Sequence, residues 1–204
     1  MNTIQDFDTD QLLQSAVAGD DGAAEELLQR HRQRLRSLVR TRLDSRLAGR
    51  IDPSDVVQDV LLTAHQRLDN YLRDRPIPFY AWLRQITLNR LTDLFRRHVQ
   101  AEKRTLDREE SLPGEINDES VALLAQRLTS SHSTPSQHLM RDELKQRVAR
   151  ALQEISPEQR EIIVMRHLEE LSLKEIAAIL DLPVGSVMSR HYRGLKALRK
   201  LLDA

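Results

Sequence analysis

Apolar residues recur along this chain at the spacing of α-helices, and polar or proline-containing breaks separate the periodic segments. The segment before residue 181 carries four apolar residues at positions i, i+3, i+4 and i+7, namely Leu173, Ile176, Ala177 and Leu180. The segment after residue 183 has no acidic residue, and its apolar face is predicted to hold Val184, Val187, Met188, Leu195, Leu198 and Leu202. The two segments predict a pair of helices joined by a tight turn at Asp181-Leu182-Pro183.

The second of these helices carries small residues near its start and cations beyond them, on the face opposite the apolar one. These residues are Gly185, Ser186, Ser189, Arg190, Arg193 and Lys196. A recognition helix enters the DNA major groove by its N-terminal residues, so small polar groups allow close approach and later cations neutralise phosphates. The pattern predicts a DNA-binding helix-turn-helix. The alternative is a terminal helix whose basic face is merely solvated.

The N-terminal half begins with two predicted helices. The first is capped by Asp8 or Thr9 and runs to Val17, where the glycines and aspartates of 19–22 break it. The second helix has an inner stripe formed by Leu28, His31, Leu35, Leu38 and Val39. Because His31 lies on this inner stripe, it is predicted to be a core residue and not a metal ligand.

Two further helices follow in the same half. Asp52 is predicted to cap the third helix, with proline at the first helical position and an end near Leu68. Residues 71–78 are predicted to be irregular, and the fourth helix runs from Phe79 to about His98. Four of the seven aromatic residues fall in this stretch: Tyr71, Phe79, Tyr80 and Trp82.

Residues 103–135 lack helical periodicity and are rich in acidic, Ser and Thr residues, apart from a short helical turn near 121–128, so they are predicted to be a linker. Residues 141–153 return to a helical pattern, and Ser156 is predicted to cap the helix after it, with Gln159 reaching back. Aromatic residues make up 3% of the chain and charged residues 30%, in a composition that favours helices. We predict an all-α fold with two small helical domains joined by an acidic linker.

Composition excludes several classes of function. The chain has no cysteine, so it has neither disulfides nor thiolate metal sites. Its seven histidines show no metal-ligand spacing, and no Walker A, Rossmann or GxSxG motif is present. We therefore expect no enzyme activity, no metal and no cofactor. With no signal peptide and no apolar run of about 18 residues, a cytoplasmic protein without membrane insertion is expected.

Two pairs of motifs resemble the extracytoplasmic-function (ECF) subfamily of bacterial RNA polymerase sigma factors. The first pair is DPSDVVQDV at 52–60 with FYAWL at 79–83, and the second is LSLKEIA at 171–177 with VGSV at 184–187. They resemble the sigma-2 and sigma-4 domains of that family. The resemblance implies an N-terminal extension at 1–21, a sigma-2-like domain at 22–104, a linker at 105–137 and a sigma-4-like domain at 138–204.

The resemblance also implies partners and site residues. Core RNA polymerase, through its beta and beta-prime subunits, and promoter DNA would be the partners, with an anti-sigma factor as a further possible one. The polymerase-binding residues implied are Asp55, Gln58, Asp59 and Leu62. The minus-10 and melting residues implied are Tyr71, Arg73, Arg75, Tyr80, Arg84, Asn89, Arg90, Arg96 and Arg97. The minus-35 residues implied are Ser186, Ser189, Arg190, Arg193 and Lys196.

Two positions depart from the family pattern, and three roles keep an alternative: Asp55 would merely cap its helix, and Asp59 and Asn89 would be ordinary solvated residues. Met188 stands where many relatives have a cation, so that DNA contact is either missing or replaced by an apolar contact with a thymine methyl group. Asp181 stands where the turn usually has glycine, and Asp tolerates the left-handed conformation better than most residues. Tyr71 and Tyr80 are favoured as stacking platforms over Phe79 and Trp82, which are assigned to the core.

Two other functions remain open from the sequence alone. A stand-alone helix-turn-helix regulator would bind duplex DNA without polymerase, and a helical adaptor would bind only proteins. Neither function explains the aromatic cluster together with the acidic face around Asp55. An initiation factor explains both features.

Overall fold

The computed structural model describes residues 3–44, 47, 49–102, 120, 121, 123, 124 and 138–202. The regular structure of these residues is helical, as predicted. Eight helices follow one another: α1 (Thr3–Val17), α2 (Asp21–Arg42), α3 (Pro53–Asp74), α4 (Phe79–Glu102), α5 (His138–Glu154), α6 (Pro157–His167), α7 (Leu173–Leu180) and α8 (Val184–Leu202). They form two compact units, with α1–α4 in Met1–Glu115 and α5–α8 in Ile116–Ala204.

Local capping determines where the helices of the first unit begin. The Asp20 side chain accepts a hydrogen bond from the Ala23 amide at 3.1 Å, and Asp52 accepts one from the Ser54 amide at 2.7 Å. The bond from Ser54 holds the pKa of Asp52 below its usual value. The predicted start of α1 at Asp8 or Thr9 is wrong, because that helix begins at Thr3. Short-range caps satisfy helix amides without help from distant residues.

The third helix is longer than predicted. It continues past Leu68 to Asp74, so Tyr71 lies in its last turn and not in an irregular segment. Both Leu68 and Tyr71 are buried, and the Tyr71 hydroxyl donates to the carbonyl oxygen of Ile77 at 2.9 Å. Packing of this last apolar pair therefore extends the helix, which Arg75 ends in the left-handed conformation at φ 38°.

The core of the first unit lies between α2, α3 and α4. Its fully buried apolar residues include Leu27, Leu35, Leu38, Val39, Val60 and Leu83. His31 is also buried, and its ring centroid lies 5.4 Å from that of Phe79 and 5.7 Å from that of Tyr80. The prediction that His31 is a core residue is confirmed.

The second unit has its own core, built mainly from α5, α6 and α8. The cluster contains Val121, Leu124, Val148, Ala151, Leu152, Ile155, Ile163, Val164, Leu168 and Leu198. Val121 and Leu124 come from the segment that the sequence assigns to the linker, and both are buried. Their contribution to this core means that the second unit includes residues well before position 138.

The helix-turn-helix forms as predicted. Ser172 and Glu175 make a reciprocal capping box at the start of α7, which the sequence analysis did not identify. Asp181 takes the left-handed conformation at φ 52°, ψ 50°, and its amide donates to the carbonyl of Ala177. Pro183 then precedes α8. The expected tolerance of aspartate at this turn is confirmed.

Candidate protein-binding and nucleic-acid surfaces

An exposed stripe runs along α3, opposite the buried face of that helix. Its residues stand at positions i, i+3, i+4 and i+7 and are Asp55, Gln58, Asp59 and Leu62, which we call the α3 stripe. Leu62 is 59% exposed, an unusual value for a large apolar side chain on a packed helix. Because Asp52 caps the helix, Asp55 is not needed for that purpose. The stripe offers two carboxylates and an amide, with an apolar side chain at its C-terminal end.

One carboxylate of the α3 stripe is already paired. Arg90 of α4 donates to Asp59 through its Nη2 atom at 2.5 Å, and both side chains keep part of their surface exposed. Asp59 belongs to the predicted polymerase surface, and Arg90 belongs to the predicted DNA surface. The ion pair joins the two predicted surfaces into one continuous region of the first unit.

The predicted minus-10 cations divide into two groups. Arg73, Arg96 and Arg97 are exposed, as is Asn89. Arg84, by contrast, is buried. Arg75 is exposed as well, but its guanidinium donates to the carbonyl oxygen of Leu13 at 2.9 Å, which ties it to α1. The exposed cations suit contact with a flexible nucleic-acid backbone, whereas the guanidinium groups of Arg84 and Arg75 are held in place within the first unit.

The expectation that Tyr71 and Tyr80 are open stacking platforms is wrong for this structure. Each is 5% exposed. Tyr71 stacks on Trp82 with ring centroids 4.6 Å apart, and the Arg34 guanidinium lies 3.9 Å from the centre of the Tyr80 ring. Burial raises the pKa of Tyr71, which keeps its hydroxyl protonated as a hydrogen-bond donor. Trp82, assigned to the core, is instead only half-buried.

On α8 the polar face matches the prediction, and the apolar face is narrower than expected. Ser189, Arg193 and Lys196 are exposed, whereas Ser186 and Arg190 are half-buried. Val187, Gly194 and Leu198 form the buried side. The placement of Val184 and Met188 on the apolar face is wrong, because they are 39% and 54% exposed. Met188 lies about 100° further round the helix than Val187, which turns it away from the core.

A pair of histidines meets where α6 ends beside α8. The Nε2 atoms of His167 and His191 are 3.1 Å apart, although 24 positions separate the two residues. Sequence spacing gave no sign of this pair, because packing between two helices creates it. Desolvation lowers the pKa of His191, and the nearby Arg166 charge acts in the same direction.

Two kinds of feature are absent from the described residues. No group of three or more His, Cys, Asp or Glu side chains in that part of the chain is arranged to hold a metal ion. None of the helices there is long and apolar enough to cross a membrane.

Comparison with known proteins identifies both units. The family model for sigma-70 region 2 matches residues 27–100, and the model for sigma-70 region 4 matches residues 145–198. The ECF RNA polymerase sigma-E factor of Escherichia coli strain K12 is 33% identical over 195 residues, which cover 93% of this chain and 92% of that protein. The RNA polymerase sigma factor CnrH of Cupriavidus metallidurans is 33% identical over 198 residues, covering 97% and 96%.

A solved structure agrees with these matches. CnrH in complex with the cytosolic domain of CnrY is similar at a TM-score of 0.51 and 28% identity, over 94% of this chain and 95% of that chain. The two matched regions occur here in the same order as the two compact units. The similarity therefore extends over both helical units and is not confined to the helix-turn-helix.

Proposed function

The chain belongs to the ECF subfamily of sigma-70 RNA polymerase sigma factors, which recognise promoters and start transcription, and we propose how its two units divide that work. The first unit binds core polymerase and the minus-10 region through residues within 22–104, and the second binds the minus-35 element through residues within 138–204. RNA synthesis itself belongs to the polymerase, so this chain is not an enzyme.

The α3 stripe is the observation that carries the polymerase assignment. Asp55 has no hydrogen-bond or ion-pair partner for its side chain within the described residues, and Leu62 lies one turn beyond Asp59 on the same exposed face. A carboxylate that needs no intramolecular partner is available to an arginine of another protein. Apolar and polar side chains together on one exposed face are also typical of a protein interface.

Run-off transcription with purified core polymerase tests this proposal. Adding the chain is expected to direct initiation from a subset of promoters that core polymerase alone does not use. A chain that binds duplex DNA tightly without polymerase, and never directs initiation, would instead be a stand-alone helix-turn-helix regulator. A chain that captures only other proteins would be an adaptor.

For the minus-10 region, we propose that the exposed cations carry the contact with the single-stranded backbone. Arg73, Arg96 and Arg97 and the amide of Asn89 remain open after the first unit has folded. The half-buried ring of Trp82 replaces the two buried tyrosines as the ring most accessible to an extruded base. Tyr71 acts by stacking on this ring.

For the minus-35 element, we propose that α8 enters the major groove through Ser186 and Ser189 and reaches phosphates with Arg190, Arg193 and Lys196. Met188 is also exposed on this helix. Because its thioether chain is apolar, it suits a thymine methyl group where a basic residue would suit a phosphate or guanine.

Replacing Arg193 with alanine measures its part in this contact. The expected result is a loss of affinity of the holoenzyme for the upstream element by about 5- to 150-fold, since a single bidentate base contact is worth about 1–3 kcal/mol. The salt dependence of binding is expected to fall by about one unit of log–log slope if the contact is to phosphate. Filter binding across a salt series checks both values. Arg150→Ala, on an exposed position of α5, is the matched control.

A protein that inhibits this factor is a further proposed partner. The related CnrH has been solved with the cytosolic domain of CnrY. In this chain the exposed apolar side chains Leu62, Met188 and Tyr192 lie on the surfaces assigned to polymerase and DNA. A partner that covered either surface would therefore block initiation by direct competition.

A further inference from the structure

The two histidines between α6 and α8 face each other edge to edge. Their ring planes differ by 18°, and the centroids lie 5.3 Å apart while the Nε2 atoms lie 3.1 Å apart. The difference between these distances is close to two ring radii, so both nitrogens lie on the line between the ring centres. The rings are thus nearly coplanar, and one Nε2–H group donates to the lone pair of the other Nε2 atom.

This arrangement brings two nitrogen lone-pair positions to one point. Metal–nitrogen bonds to histidine are about 2.0–2.1 Å long, so two ligands of one tetrahedral ion lie roughly 3.3 Å apart. The observed separation is 3.1 Å. Because the lone pairs point along the line between the two nitrogens, each ring would have to turn by about 35° to aim its lone pair at a common tetrahedral ion.

Metal binding requires a particular protonation state. Only neutral imidazole binds metal. In the neutral pair, one ring carries its hydrogen on Nε2. Metal binding moves that hydrogen to Nδ1 of the same ring, so the pair gains the ion without releasing a proton.

We propose that His167 and His191 form a two-histidine site for a divalent transition metal ion of the Zn²⁺ class, with water as the remaining ligands. Half-buried rings leave room for these waters. The surfaces proposed above for polymerase and DNA do not use this pair.

The position of the site determines how a bound ion would affect the second unit. His167 is the last residue of α6, and His191 lies in α8 between Arg190 and Arg193. An ion bound to both rings would join the helix before the helix-turn-helix to the recognition helix. Because the ion binds only the folded arrangement, it stabilises the second unit by mass action.

Zn²⁺ titration of the full chain tests the site. The expected result by calorimetry is one saturable binding event that is lost in both His167→Gln and His191→Gln and retained in His65→Gln, whose histidine is exposed on α3. Saturating Zn²⁺ is also expected to raise the melting temperature of the wild type and of His65→Gln but of neither pair variant. Mg²⁺ is expected to do neither.

Two further measurements keep the test decisive. Circular dichroism of the metal-free variants shows whether each has folded, and Cu²⁺ added to the wild type is expected to show two nitrogen ligands by electron paramagnetic resonance. Unchanged Zn²⁺ binding in His191→Gln, or no binding to the wild type, would overturn the site. Run-off transcription by the His191→Gln variant separates this outcome from a failure of the initiation role, because a folded variant without metal should still initiate.

Discussion

Asp55→Arg is expected to abolish promoter-directed transcription by reducing affinity for core polymerase about 100-fold or more. The loss of one member of a close charge pair at an interface costs about 2–5 kcal/mol, and reversing the charge adds repulsion. Asp55 is the sharpest probe on the α3 stripe because Asp59 is already paired with Arg90. Fluorescence anisotropy with labelled chain and purified core polymerase measures the affinity directly.

The matched control is Glu25→Arg, which makes the same change in charge at an exposed position of α2 in the same unit. It is expected to bind polymerase like the wild type. Helix content and melting temperature should be alike in both variants, since neither side chain is buried. Equal polymerase affinity for Asp55→Arg and the wild type would remove the α3 stripe from the interface.

Gly194→Val is expected to lower the melting temperature of the second unit by about 5–20 °C. A side chain at this position would place its Cβ atom 2.9 Å from Cδ1 of Ile163 and 3.1 Å from Cβ of Gln159, both on α6. The tip of the isoleucine can move, but a Cβ atom moves only with its backbone. Overpacking of this kind costs about 1–3 kcal/mol, and each kcal/mol shifts the melting temperature of a small domain by about 4–8 °C.

Gly185→Val provides the comparison within the same helix. No atom lies within 4 Å of a Cβ built at Gly185, so valine there meets open space. The difference in melting temperature between the two variants isolates the cost at the α6–α8 crossing from the general effect of replacing glycine. Thermal unfolding of the full chain by circular dichroism gives both values. Identical melting curves would show that α6 and α8 separate at little cost.

Features that depend on neighbouring residues were predictable from the sequence. The cap at Asp52, the left-handed turn at Asp181 and the position of α8 each follow from a few adjacent side chains. The α3 stripe was predictable for the same reason, because helical periodicity alone decides which residues share an exposed face. The resemblance to the family then predicted that this face binds polymerase.

Features that depend on packing between distant segments were not predictable. Tyr80 looks like an open aromatic residue until α2 brings Arg34 over its ring. Leu124 looks like part of a linker until the second unit buries it. The contact between His167 and His191 exists only because α6 and α8 cross. A single sequence shows which residues are available for such contacts, but not which of them come together in the folded chain.

The stack between Tyr71 and Trp82 gives this factor a built-in optical reporter. Trp82 is the only tryptophan in the chain, so excitation of tryptophan observes the first unit alone. Its half-buried ring lies against a tyrosine whose hydroxyl is bonded to the segment before α4. A shift in its emission would report rearrangement where Tyr71 packs against Trp82, without any added dye.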